Sequence, residues 1–417
     1  MHNNRFLNRN LALGIINGIF FNLSLAFLSG TTILPLFISG LTDSRVIIGF
    51  FSTLQGFGWY LPQLFMGAYI AGRPLVLGYY NKISFLRIVL FASCLVLIFT
   101  IKNSNHSLLL IGFGLIIGLY AIASGMAGIS FMEIVGKMIP TNKRGTLFGS
   151  RMFFGGLLAV LAGPVIKVML DRWDFPLNFG YMYCISMVAI IMGLSSFAFV
   201  RELPSSSSIT KPGFSRNLRK SLGLLKGDSN IRRLIISRYL TNAALLAIPF
   251  YIIMATDNLG ISRPMAATYL SFERIGFLGL NILWAWLSNR ISNKVVLKAS
   301  TISAIIAPAL ALFSIYHNPG YFVYGLVFFF NGAALSGTNM GYINYLLEIA
   351  NDDNRAMAMG LVHTLIAPTI FLSVLGGIII EIFNLKVLFI VTLVCLIISY
   401  FYLTHLNEPV RSTGSEK

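Results

Sequence analysis

Charge is scarce in this 417-residue sequence. Asp, Glu, Lys and Arg make up 11% of it and hydrophobic residues 56%, whereas a soluble domain carries about 25% charged residues. A soluble chain of this kind would have no place for its apolar surface, so the lipid bilayer is its natural solvent. Cysteine is nearly absent: Cys94, Cys184 and Cys395 all fall in apolar runs, at no metal-ligand spacing. That excludes a disulfide framework and leaves them as small buried hydrophobes. There is no G-x-x-x-x-G-K-[ST] loop and no soluble domain to hold one, which removes nucleotide-driven transport. The five histidines are scattered, two in outer loops, two near the termini and His363 in an apolar run. No Ser/His/Asp or zinc arrangement is visible, so the sequence gives no sign of an enzyme, a metal or a cofactor.

What the sequence has in quantity is long apolar runs. Twelve of them cover approximately 12–38, 46–70, 84–101, 108–134, 147–170, 178–199, 234–256, 265–287, 296–316, 320–347, 357–380 and 386–404. A helix needs about 20 such residues to cross the hydrocarbon. Backbone groups in lipid must bond internally, and the ten-residue alternation of a barrel is missing, so these runs are helices. The first is too long for a signal peptide. The net charge of +17 could suggest nucleic acid, but its placement gives another reason. Alternate segments, counted with the N-terminus inside, hold most of the basic residues, among them Arg73, Lys82 and Arg87, then Lys137, Lys143, Arg144 and Arg151. The opposite set holds Arg45, Lys102, Lys167, Arg172, Arg263 and Lys386. This asymmetry follows the positive-inside rule and places both termini in the cytoplasm. No nucleic-acid partner is expected.

The segment 201–233 breaks the rhythm with Ser, Pro and Gly followed by a basic run. It reads as a cytoplasmic linker, with a helix against anionic headgroups and a plain solvated connector as equal alternatives. Six runs lie on either side, and the two sides echo each other. Ser44-Arg45 matches Ser262-Arg263 at an offset of 218, and Gln55/Glu273 and Gly58/Gly276 keep it. "LPLFI" (34–38) resembles "IPFYI" (248–252), Glu133 matches Glu348, and Arg144 with Gly149 matches Arg355 with Gly360. The expected fold is therefore an all-α integral membrane protein of twelve transmembrane helices in two six-helix bundles. The bundles are 1–200 and 234–417, and six being even, they form a parallel repeat.

With these features the chain resembles the major facilitator superfamily over nearly its whole length. "IPTNKRGTLFGSR" (139–151) is similar to the P-x-x-x-R-G-x-x-F-G-x-R stretch of a bacterial branch of that family, and "GWYLPQLF" (58–65) fits the same branch. The family's G-x-L-a-D-R-x-G-R-K loop departs here. "LSNRISNK" (287–294) has Asn289 in place of the Asp, and "GAYIAGRPLVLG" (67–78) keeps Gly67 without any Asp. "AVLAGPVI" (159–166) is a partial match to an antiporter stretch, with Ala159 for its first Gly. The resemblance implies alternating access about a central site lined mainly by the first, fourth, seventh and tenth helices.

Candidate residues follow from polarity inside the runs. Glu273 and Arg274 lie ~13 Å into the eighth helix, where charge is costly and usually functional. Being adjacent, they point about 100° apart, so they are not expected to pair face to face. Glu273 is a candidate proton carrier and Arg274 a candidate holder of an anionic substrate; the alternative is a structural ion pair. The tenth helix, "NGAALSGTNMGYINY" (331–345), is unusually polar, with Asn339 the leading substrate contact and close helix packing the alternative. Asn17, Gln55, Trp59, Tyr120 and Asn242 complete the substrate-binding candidates, each of which could instead bond between helices. Arg151 is read as snorkelling to the surface, and His363 as a second proton-coupling candidate. Glu133 and Glu348, paired with Arg144 or Arg355, are the expected inner gate.

The leading function is secondary active transport of a small solute across the cytoplasmic membrane by alternating access, with protons as a candidate coupling ion. The protein is expected to work as a monomer, its partners being the solute and the bilayer. The alternative is a transporter-like membrane receptor or scaffold without solute flux.

Overall fold

The computed structural model describes residues 6–60, 62, 66, 69–70, 73–204, 229–349 and 355–407. The first half contains α1 (Leu7–Phe27), α2 (Ile33–Ile38), α3 (Arg45–Tyr60), α4 (Leu77–Ile101), α5 (His106–Met138), α6 (Thr141–Arg172) and α7 (Leu177–Ala198). The second contains α8 (Ser229–Thr241), α9 (Ala244–Asp257), α10 (Arg263–Ala267), α11 (Tyr269–Arg290), α12 (Asn293–His317), α13 (Tyr321–Ile349), α14 (Arg355–Ile366), α15 (Leu372–Ile382) and α16 (Leu385–Thr404). Among the described residues ten helical stretches are long and apolar enough to cross a membrane. The chain is a multi-pass membrane protein. Of the twelve expected passages, the second is represented by α3, whose 16 residues run into a stretch outside the described residues. The eighth is α11, made more polar by Glu273, Arg274 and Arg290.

Local chemistry explains the helix ends. The side chains of Asn105, Ser292 and Asn384 accept the backbone N–H of Leu108, Val295 and Val387, capping α5, α12 and α16. Pro140 occupies the N-cap of α6 in an extended conformation and stops α5 from running on. Three expected single passages are in fact broken. Residues 28–32 separate α1 from α2, Asn242 and Ala243 separate α8 from α9, and a 3₁₀ turn, Ala367–Phe371, separates α14 from α15. Pro368 near the start of that turn cannot donate to a continuous α-helical ladder.

The contacts form two compact units. The first holds the described residues before 205 together with Pro249–Arg274 and Ser373–Ile382. In it α1 lies against α6 and α7, and α5 against α3 and α4. One end is an aromatic nest in which Phe37 meets Phe113, Phe179 and Tyr183 at centroid distances of 4.8, 5.1 and 5.9 Å. The opposite end, where α4 and α6 begin, is an apolar cluster around Val76, Ile134, Leu147 and Phe197, all fully buried. The segments contributed by the second half are held by specific bonds. Arg45 pairs with Asp257 at 2.8 Å. Glu381 accepts from the Ser44 hydroxyl at 2.7 Å and from the Val46 N–H at 3.1 Å, capping α3. The Ser271 hydroxyl donates to the Val160 carbonyl at 2.6 Å. The compact units therefore combine segments from both sides of 201–233, where the sequence suggested a linker.

The second unit contains 229–248, 275–349, 355–372 and 383–407 of the described chain. Here α12 packs on α13 and α16, and α8 on α13 and α16. Leu234, Leu297, Tyr345 and Leu403 form its fully buried centre.

The repeat has a physical counterpart at Gly58 and Gly276. A Cβ on Gly58 would strike the backbone of Ala121 in α5, and one on Gly276 the carbonyl of Phe329 in α13. Both glycines thus let the second helix of a half cross its fourth at backbone contact, the small-residue packing that lipid-embedded helices use. Gly58→Val and Gly276→Val should each lower the midpoint of thermal unfolding in detergent by several degrees. Gly118→Ala, where a Cβ meets nothing within 4 Å, should leave it unchanged.

Candidate functional site

Within the first unit α1, α4, α5 and α6 surround a cavity of about 240 Å³. Its polar lining is Asn17, Asn22, Tyr80, Arg87, Ser124 and Arg151, and its aromatic walls are Phe21, Phe131 and Phe148. Arg151 does not snorkel. It lies ten residues into α6 and turns inward, donating to the Gly14 carbonyl at 2.7 Å and to Asn17 Oδ1 at 2.8 Å, with its guanidinium 4.4 Å from the Phe131 ring centroid. Gly18 makes room for it, since a Cβ there would overlap the Arg151 stem. Asn17 is held in turn by its own bond to the Gly193 carbonyl at 2.7 Å. Asn17 is therefore brought into the cavity, and it also positions Arg151.

Arg87 is the residue that sequence reasoning missed. The third passage was expected to start at 84, which put Arg87 among the cytoplasmic charges. The helix starts at Leu77, so Arg87 lies ten residues or ~15 Å inside it. Its residue exposure is only 3%. The guanidinium sits 5.5 Å from the Phe21 ring centroid and 5.3 Å from that of Tyr120. Its Nη2 makes a long contact of 3.4 Å with the Tyr120 hydroxyl, and its Nε has no hydrogen-bond partner. Tyr120 thus stands behind Arg87.

At the end of the same unit where α4 and α6 begin, the residues expected to form a gate have other partners. Arg144 donates to the carbonyls of Ile139 and Gly136 at 3.0 and 2.9 Å, closing the C-terminal end of α5. Glu133 lies 3.5 Å from Lys137. The expected Glu133–Arg144 pair is not formed in this structure, because the last turn of α5 offers Arg144 two carbonyls that the helix itself cannot satisfy. Lys137 also pairs with Glu202 at 3.0 Å and donates to the Arg73 and Pro74 carbonyls. Glu202 accepts the N–H groups of Val76 and Leu77, both at 2.7 Å from Oε2, and so caps α4. A carboxylate from the start of the linker does here what a residue of the loop before α4 would ordinarily do.

Glu273 and Arg274 also belong to the first unit. Glu273 is 2% exposed, and the two charges approach to 3.9 Å. They form an ion pair without a hydrogen bond, a closer approach than their positions on one helix suggested.

In the second unit the polar candidates gather around Arg238, which the sequence reading did not single out. It donates to the Thr338 carbonyl at 3.3 Å and to Asn339 Oδ1 at 3.4 Å, and lies 4.6 Å from the Tyr342 ring centroid. Asn339 is exposed. Asn242 donates to the Thr369 hydroxyl at 2.7 Å, bridging the break after α8 to the 3₁₀ turn. His363 is exposed on α14. Glu348 accepts from the Asn293 amide at 2.7 Å, tying α13 to α12. The side chains of Gln55, Trp59 and Arg355 lie outside the described residues, as does 205–228, where a headgroup-binding helix was considered.

Residues 234–417 match the family model described as Major Facilitator Superfamily. The whole chain is similar to solved transporter structures. A D-xylose-proton symporter matches at TM-score 0.76 and 14% identity, over 97% of this chain and 99% of that one. The chain has the fold of these transporters, and its second half is similar to the Major Facilitator Superfamily model. A mutant of the nucleoside transporter NupG matches at TM-score 0.71 and 14% identity, over 96% of this chain and 100% of that one. An inward-facing bacterial homologue of the iron transporter ferroportin matches at 0.72 and 12%, over 95% and 98%. No curated protein matches the chain in sequence. Within this major facilitator fold the buried Glu202–Lys137 pair is expected to matter for stability. Glu202→Gln should cost on the order of 2 kcal/mol, the scale of hydrogen bonds to a charged group. Thermal unfolding checks this, with Glu133→Gln, whose side chain is half exposed, expected to be nearly silent.

Proposed function

We propose that the protein is a secondary active transporter that moves a small solute across the cytoplasmic membrane by alternating access, with both termini in the cytoplasm. The observation that carries this reading is the outer end of the first unit. Segments far apart in sequence are joined there by a partly exposed ion pair and short hydrogen bonds, Arg45–Asp257 at 2.8 Å and Ser44–Glu381 at 2.7 Å. Such polar contacts exchange for water at little net cost, which suits a seal that must open in each cycle. A polar cavity inside the bundle gives the solute a place to stop. The named functions of the similar structures, a proton symporter and a nucleoside transporter among them, support the same class. We infer a monomer without enzymatic activity, and no cofactor is invoked. Protons are the proposed coupling ion, with Glu273 and His363 as the groups to examine first. Arg274, Asn242 and Asn339, with Gln55 and Trp59, remain proposed solute contacts, and Glu133, Arg144, Glu348 and Arg355 a proposed inner gate. A receptor without flux is the less favoured reading.

Cysteines at 45 and 257, joined by a short reducible bifunctional thiol reagent, should abolish solute exchange in proteoliposomes, and a reductant should restore it. Full exchange by the cross-linked protein would mean that this seal does not open, and alternating access would fail.

A further inference from the structure

The cavity of the first unit has a cationic wall and no acid to balance it. Neither Asp nor Glu is among its thirteen lining residues. The sequence explains why. Before residue 205 the acids are Asp43, Glu133, Asp171, Asp174 and Glu202. Asp43, Asp171 and Asp174 are exposed at the outer helix ends. Glu133 and Glu202 are engaged with Lys137 at the inner end. The acids that the unit gains from the second half are placed as well: Asp257 on Arg45, Glu381 on Ser44 and the start of α3, and Glu273 beside Arg274. Two guanidinium groups therefore share one membrane-embedded cavity without a carboxylate.

Such an arrangement is costly unless something compensates it. Arg151 is partly compensated by the Gly14 carbonyl and Asn17. Arg87 has only ring faces and one long contact with a hydroxyl, and its buried Nε has no partner. A planar guanidinium presents its donors as a fork suited to a carboxylate or a similar oxyanion. Ser124 and Asn22 line the same space and supply further polar groups. Phe21, Phe131 and Phe148 supply apolar surface for the rest of a ligand. At about 240 Å³ the cavity is smaller than the roughly 300–1,000 Å³ of sites for drug-sized molecules.

We propose that this cavity binds a small organic anion, an oxyanion head on an apolar body of about one ring, with Arg87 as its principal charge partner and Arg151 as the second. This deepens the transport reading and rests on it only for the claim that the anion is carried. The same chemistry could come from an anionic lipid headgroup; the solute is the source proposed.

The test uses the purified full-length protein in detergent at constant ionic strength. Thermal unfolding is followed against benzoate, phenylacetate and hexanoate, with benzamide and benzylamine as neutral and cationic counterparts, with and without phosphatidylglycerol in the micelles. A carboxylate should raise the midpoint saturably, while the amide and the amine should not. Arg87→Gln should weaken the apparent affinity tenfold or more, and phosphatidylglycerol should leave it unchanged. The proposal is overturned if every carboxylate is silent, if benzamide acts as well as benzoate, or if Arg87→Gln binds as the parent does. Displacement of benzoate by phosphatidylglycerol would overturn the solute assignment in favour of a headgroup. Should Arg87→Gln not fold, the contrast between benzoate and benzamide on the parent protein still decides. Counterflow of labelled benzoate in proteoliposomes separates the two readings. Binding without counterflow removes transport and leaves the anion site, whereas exchange of a neutral solute without anion binding does the reverse.

Discussion

In hydrocarbon no water is available to complete a hydrogen bond, so each polar group in these helices must find a partner in the protein or in a ligand. That constraint organises the first bundle. Arg151 reaches across from α6 to the backbone of α1, and Asn17 receives it while bonding to α7 through Gly193. Three helices are thereby tied at one point. Arg87 obeys the constraint less completely, and the incompleteness is what makes its surroundings a binding site.

The same constraint gives charges different roles at the two ends of the first unit. Where α4 begins, charges close helix termini: Glu202 receives the first N–H groups of α4, and Arg144 fills the last carbonyls of α5. These bonds lie within one half of the chain and stabilise it as a body. At the opposite end, Arg45, Asp257, Ser44 and Glu381 join segments from different halves. Contacts of this polar kind exchange for water at little net cost, whereas a continuous apolar interface would resist separation.

The departure from the family loop finds a physical answer. A helix N-terminus needs an acceptor, and the loop before α4 contains no Asp or Glu. Glu202, 126 residues from Val76 in sequence, fills that place from beyond the end of α7. The need is met by a residue that no local motif could indicate.

Much of the architecture was legible in the sequence, because crossing a bilayer imposes length and composition on each passage. The apolar runs, the basic asymmetry and the 218-residue echo led to twelve helices in two halves, and the Gly58/Gly276 match corresponds to a real pair of close helix crossings. The candidate site was legible in part: Asn17 and Tyr120 lie in or beside the cavity, but Arg87 and the inward turn of Arg151 did not show. The reason is physical. A helix in a membrane is apolar on its lipid face and on its packed face alike, so periodicity that would reveal the inner side of a soluble helix is lost. The sequence by itself thus determined how many times the chain crosses and that its halves repeat. Only the tertiary structure decided which charges face inward, because that depends on helix rotation and on partners more than a hundred residues away.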